Sequence, residues 1–162
     1  MNLIQTKNEQ ARLVRECERW IGTPFVIRAK TPGVGVDCVR LVGEILRRNG
    51  WRADITRLPD YQETAPSVLC AKSTLRDWLE SCRFVELLES NESPDCGDIL
   101  TFRIGAVEHH AGLAIDPARF IHAMAGTAVR WASLTDPTYQ KRLVAVWRPL
   151  RQPRSDVVWR EN

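Results

Sequence analysis

The sequence predicts an α+β fold, with helical periodicity in its first half, strand alternation in its second, and a cysteine where a glycine-rich loop becomes a helix. Residues 7–21 and the stretch after Asp37 repeat apolar side chains at three- and four-residue spacing. From Gly97 onward, short alternating runs are separated by turns too short for parallel crossovers. Helices followed by such strands pack on one small antiparallel sheet. At 162 residues, with 44% hydrophobic and 27% charged, the chain suits one domain with a real core. That domain is read as 1–149, and 150–162, proline-containing and alternately charged, as an extended tail.

The first helix, 7–21, sets Leu13, Val14, Cys17, Trp20 and Ile21 on one face. Gly22, Pro24, Pro32, Gly33 and Gly35 then punctuate a loop that leaves no room for a regular element between Thr31 and Val36. Asp37 is a good N-cap and Asn49-Gly50 a good C-terminal stop, so a second helix lies between them. Its apolar stripe is Cys38, Leu41, Val42, Ile45 and Leu46, with Arg40, Glu44, Arg47 and Arg48 on the other side. Cys38 thus sits in the first turn and faces inward, where the positive end of the helix dipole favours thiolate.

Trp51 to Ala71 carries no regular pattern. Ser73 to Cys82 reads as a short helix with Leu75, Trp78, Leu79 and Cys82 on one face, and Phe84 to Leu88 as a strand. Further strands are expected at 98–104, 110–116, 119–123, 127–132 and 143–147.

The 23 basic and 20 acidic residues leave a net charge of +3 without a basic stripe, which argues against nucleic acid as partner. The first residues have no apolar signal core, and no apolar run approaches a membrane span; synthesis in the cytoplasm without a cleaved export signal is expected, and no membrane partner. Cysteines 17, 38, 70, 82 and 96 form no CxxC pair, so neither a disulfide framework nor a cysteine zinc site is expected; Cys17 and Cys82 read as core.

His110 shares a strand face with Gly112, Ala114 and Asp116, which leaves room over it for a helix and its first-turn cysteine. His122 on the following antiparallel strand falls near His110. Cys38, His110 and His122 can therefore supply a nucleophile, its base and the group that orients the base. A metal site from His109, His110 and His122 is disfavoured, because adjacent strand residues face opposite ways unless a bulge intervenes.

The ordered motifs WIGTPF, GVGVDCVRLV, GDILTF, HHAGLAI, FIHA and VAVWRP, spanning about residues 12–149, resemble the NlpC-type (NlpC and p-sixty group) cell-wall cysteine peptidases. The resemblance extends to the branch found in phage tails and gene-transfer particles, which the Tyr61 region and 125–143 also fit. It implies a papain-like fold, hydrolysis of peptidoglycan stem peptides, no metal or organic cofactor, Cys38 as nucleophile, His110 as base and His122 as orienting residue. It further implies stem peptides and phage-tail proteins as partners, in a particle component acting at the cell wall. Two positions depart from the family pattern. Phe25 stands where a tyrosine hydroxyl often helps hold the oxyanion, and losing one such donor costs about 2.7–4 kcal/mol. Arg40 replaces a small residue after the cysteine; it can meet a stem carboxylate or pair with Glu44 at i,i+4. Two alternatives stand beside the peptidase: a tail-assembly protein with weakened catalysis on the same fold, and a thiol amidase or acyltransferase acting outside the cell wall.

Overall fold

The computed structural model describes residues 1–53 and 74–153. The elements in chain order are α1 (Lys7–Trp20), β1 (Lys30–Thr31), β2 (Gly35–Val36), α2 (Cys38–Arg48), α3 (Thr74–Ser81), β3 (Val85–Leu87), β4 (Ile99–Ile104), β5 (Val107–Ala114), β6 (Arg119–His122), β7 (Arg130–Ser133), α4 (Pro137–Arg142) and β8 (Leu143–Pro149). The expected irregular stretch beyond Ala53, with Tyr61 and Cys70, and the Ser73 cap lie outside the described residues.

Six strands form one antiparallel sheet in the order β3-β8-β4-β5-β6-β7. Alternation along the strands splits the core in two. Ile99, Ala111, Leu113, Ile121 and Trp147 pack with Leu13, Cys17 and Trp20 of α1 and Leu41, Ile45 and Leu46 of α2. Leu100, Phe102, Ala114, Phe120 and Leu134 form the second cluster, covered by Tyr139 and Leu143. This is the expected α+β arrangement. Burying a side chain such as Leu41 or Ile45 contributes about 2 kcal/mol.

α1 begins at a capping box, Thr6 accepting from the Glu9 N–H while the Glu9 carboxylate accepts from the Thr6 N–H. Leu13, Cys17 and Trp20 are buried as expected, but Ile21 leaves the helix at its C-cap and is 40% exposed. α3 is tied to the sheet through Arg76, whose Nε donates to buried Glu108 at 2.6 Å while its guanidinium lies over the Trp147 ring. Thr101 donates to the other Glu108 oxygen.

Several expected boundaries move. β1 and β2 make a two-residue pairing inside the loop expected to be irregular. β5 starts at Val107 rather than at His110, because Gly105, at φ 62°, turns the chain in two residues. Residues 127–129 do not join β7. They pair with the loop after α1, Val129 N–H donating to Thr23 O and Phe25 N–H to Thr127 O. Leu150 and Arg151, assigned to the tail from the sequence, bond through their N–H groups to Phe84 O and Met1 O. No helix of the described residues is long and apolar enough to cross a membrane.

Candidate active site

Asp37 organises the loop-to-helix junction. It is fully buried, and its Oδ1 accepts from the Arg40 N–H at 2.9 Å, as an N-cap should. Its Oδ2 accepts from the Arg40 guanidinium and from the Arg28 N–H, both at 2.8 Å. Arg28 has φ 63°, a left-handed backbone unfavourable for a side-chain-bearing residue, and the bond to Asp37 holds it there. One carboxylate thereby fixes the loop, the start of α2 and the position of Cys38. The pairing of Arg40 with Glu44 expected from the sequence gives way to this contact; Glu44 pairs with Arg47 instead and is buried rather than solvated.

The Ala114 N–H donates to Asp98 O on the β4 side, so alternation turns the Leu113 and Ala111 N–H groups toward β6. The β5–β6 ladder ends at Gly112↔His122, and the next amide, Ala111, is close enough to Cys38 to stabilise its thiolate form. The Cys38 and Val39 N–H groups act in the same direction. All three favour thiolate, yet complete burial outweighs them and, with the nearby Asp37 charge adding to it, pushes the thiol up to about 12. The lowered pKa expected at a helix N-terminus is thus reversed by desolvation.

The structure brings His110 and His122 together, His110 Nε2 to His122 Nδ1 at 2.9 Å. They are diagonal neighbours, since His122 sits opposite Gly112. Both are buried. Desolvation, reinforced by His122, His109 and Arg142, lowers His110 to about 3; desolvation and Arg130 lower His122 to about 4. Both rings are neutral at physiological pH. Nδ1 of His110 has no hydrogen-bond partner, which singles it out among buried side-chain polar atoms of the described residues. No hydrogen bond therefore joins it to the Cys38 thiol, and thiol and imidazole are each neutral.

The open face expected over Gly112 is occupied by Phe120, not by α2. A Cβ at Gly112 would stand 2.8 Å from Phe120 Cδ2. Phe120 stacks on Phe102 at 5.2 Å and meets His122 edge-on at 5.0 Å. The β4–β5 register shifts at His109, the bulge a histidine cluster would need. Even so, among the described residues no three His, Cys, Asp or Glu side chains gather as a metal site. Phe25 packs its ring against the first core and offers no side-chain donor. Surface depressions of about 510 Å³ beside Trp78 and Phe84 and about 390 Å³ beside Leu87 and Val146 are not lined by Cys38 or either histidine.

A buried thiol at a helix N-terminus beside a histidine pair on an antiparallel sheet invites comparison with known proteins, and the NlpC/P60 family model matches residues 22–148. The chain belongs to the NlpC/P60 family. It is 25% identical over 142 residues to the murein DD-endopeptidase MepS/murein LD-carboxypeptidase of Escherichia coli strain K12, an alignment covering 87% of this chain and 63% of that relative. The chain thus spans under two thirds of the curated relative it matches. Among solved structures, an NLP/P60 family protein similar to a lipoprotein from Staphylococcus aureus subsp. aureus Mu50 superposes with a TM-score of 0.62 at 15% identity, covering 94% of this chain and 44% of that one. The NlpC/p60 domain of the peptidoglycan hydrolase SagA gives 0.52 at 19% identity, covering 85% and 96%. These likenesses establish the NlpC/P60 fold.

Sequence reading misses one residue at the histidine pair. Tyr139 lies on α4, a helix not expected from the sequence, and its hydroxyl is 3.4 Å from His122 Nε2. The signal was there: Asp136-Pro137 is an N-cap followed by a proline at the first helical position, and the Asp136 carboxylate accepts from the Thr138 N–H at 2.8 Å.

Proposed function

We propose that this NlpC/P60 domain is a cysteine peptidase that hydrolyses amide bonds in peptidoglycan stem peptides, with Cys38 as nucleophile, His110 as base and His122 as orienting residue. The observation that carries the reading is the bare, buried Nδ1 of His110, whose other nitrogen is held by His122 while the amide of the adjacent residue, Ala111, lies close enough to Cys38 to favour its thiolate. An orphaned buried polar atom is costly and persists where chemistry uses it.

In the first half-reaction the Cys38 proton moves to His110 Nδ1 and the sulfur attacks the amide carbonyl, forming a C–S bond. The amides at the start of α2 face the developing oxyanion, and the helix dipole adds to them. His110 returns its proton to the leaving amine as the C–N bond breaks, leaving a thioester. Water then gives a proton to His110 and attacks, the C–S bond breaks as His110 passes that proton to the Cys38 sulfur, and the acid product leaves. Because Cys38 has no solvent exposure, a peptide reaches it only after the thiol is uncovered.

A second reading is favoured by the same burial and by Phe25: a binding protein on the peptidase fold with weak or no turnover. Placement in a phage tail or gene-transfer particle is proposed from the motif resemblance alone. The test is release of soluble peptides from purified sacculi. The peptidase reading expects wild-type release and its loss in Cys38→Ser; a tenth or more of the activity retained in that variant refutes the assignment, and wild-type binding without release favours the second reading.

A further inference from the structure

We propose that Tyr139 is a positioning residue of this site: its hydroxyl oxygen accepts a hydrogen bond from the Nε2–H of His122 and so holds both histidines in the tautomer that leaves Nδ1 of His110 a lone pair. The inference rests on the peptidase reading, in which that lone pair takes the thiol proton.

The contact between the rings, at 2.9 Å, carries one proton between His110 Nε2 and His122 Nδ1, and two arrangements satisfy it. If His122 donates from Nδ1, the proton of neutral His110 must sit on its Nδ1. A buried N–H is then left without an acceptor, and His110 cannot serve as base. If His110 donates from Nε2, its Nδ1 is a lone pair, a cheaper orphan than an unmet N–H. His122 then carries its own proton on Nε2. His122 is fully buried, so this second N–H needs a protein acceptor, and Tyr139 Oη stands 3.4 Å away. Tyr139 is only half-buried, so its own proton can go to water while its oxygen accepts. The charged neighbours do not compete for these nitrogens: Arg142 lies near His110 and Arg130 near His122, and neither guanidinium accepts a hydrogen bond.

The tyrosine is itself held. Its ring meets Phe120 edge-on at 5.1 Å and His122 at 5.3 Å, and Phe102 at 6.0 Å. Asp136 caps its helix, and Arg103 Nη2 donates to Lys141 O at 2.9 Å. The chain from His110 through His122 to Tyr139 therefore ends on a hydroxyl whose place is set by packing.

Tyr139→Phe keeps the ring and removes the acceptor. In full-length protein labelled with nitrogen-15 histidine at neutral pH, two-bond proton–nitrogen correlations read each tautomer, with His109→Gln assigning the third ring. Wild type is expected to show Nε2–H on His110 and His122. In Tyr139→Phe, Nδ1–H forms appear on both, and release of peptides from sacculi slows about tenfold at saturation with KM unchanged. An Nδ1-protonated His122 in wild type, or imidazole spectra unchanged by the variant, overturns the proposal. His110→Ala separates the two claims. If it hydrolyses sacculi like wild type, or wild type does not hydrolyse them, the peptidase reading falls while the spectra still decide the role of Tyr139.

Discussion

Gly112→Ala adds a methyl group on the sheet face beneath Phe120, beside the two strands whose separation sets the histidine pair. The new Cβ would stand 2.8 Å from Phe120 Cδ2 and 3.2 Å from the Ile121 carbonyl oxygen. Carbon atoms in contact prefer about 3.5–4.0 Å, so the ring must retreat by roughly 0.8 Å. It has no room to do so, being fully buried and wedged among Phe102, His122 and Tyr139 at 5.0–5.2 Å between ring centres. The carbonyl belongs to the β5–β6 ladder and moves only with its strand. Overpacking of this kind costs about 1–3 kcal/mol. Widening β5 from β6 also stretches the 2.9 Å contact between His110 and His122, so turnover of sacculi should fall along with stability. Urea unfolding measures the first effect and peptide release the second. Phe120→Leu makes space for the methyl group, so the double variant should lose less stability than the sum of the two single losses, with a coupling of about 0.5–3 kcal/mol. A Gly112→Ala protein within about 0.5 kcal/mol of wild type, with additive costs in the double variant, would refute the packing argument.

Stability should have acid and alkaline limbs. His110 and His122 are lowered from 6.5 to about 3 and about 4, so the unfolded chain binds protons first and stability falls as pH drops from 6.5 toward 4, on the order of 2 kcal/mol per imidazole at pH 5. Cys38 and Cys96 are raised from 9.0 to about 12 mainly by burial, so stability declines again above pH 9. Urea midpoints across this range check both limbs, and a midpoint unchanged between pH 7 and 5 contradicts the neutral histidine pair. Asp37→Ala removes the α2 cap and the acceptor for Arg28 and Arg40, and should cost about 2–4 kcal/mol, whereas Asp37→Asn keeps the cap and should cost about half as much. Equal losses in the two variants would show that the cap contributes nothing.

The sequence by itself determines the α+β class, the helices at 7–20 and 38–48, and the placement of Cys38 after an N-cap, because periodicity and caps are local. It also brings His110 and His122 onto neighbouring strands, because a short turn leaves an antiparallel pair little choice of partner. Register is different, since one step changes every neighbour. Only the folded sheet sets His122 opposite Gly112 and fills the space above that glycine with Phe120. Tyr139 reaches His122 from seventeen residues away, a contact no spacing rule contains. The charge states depend most on tertiary structure. The helix N-terminus argues for thiolate from sequence alone, but burial is a property of the whole assembled core, and the desolvation it imposes holds Cys38 as a thiol and both histidines neutral.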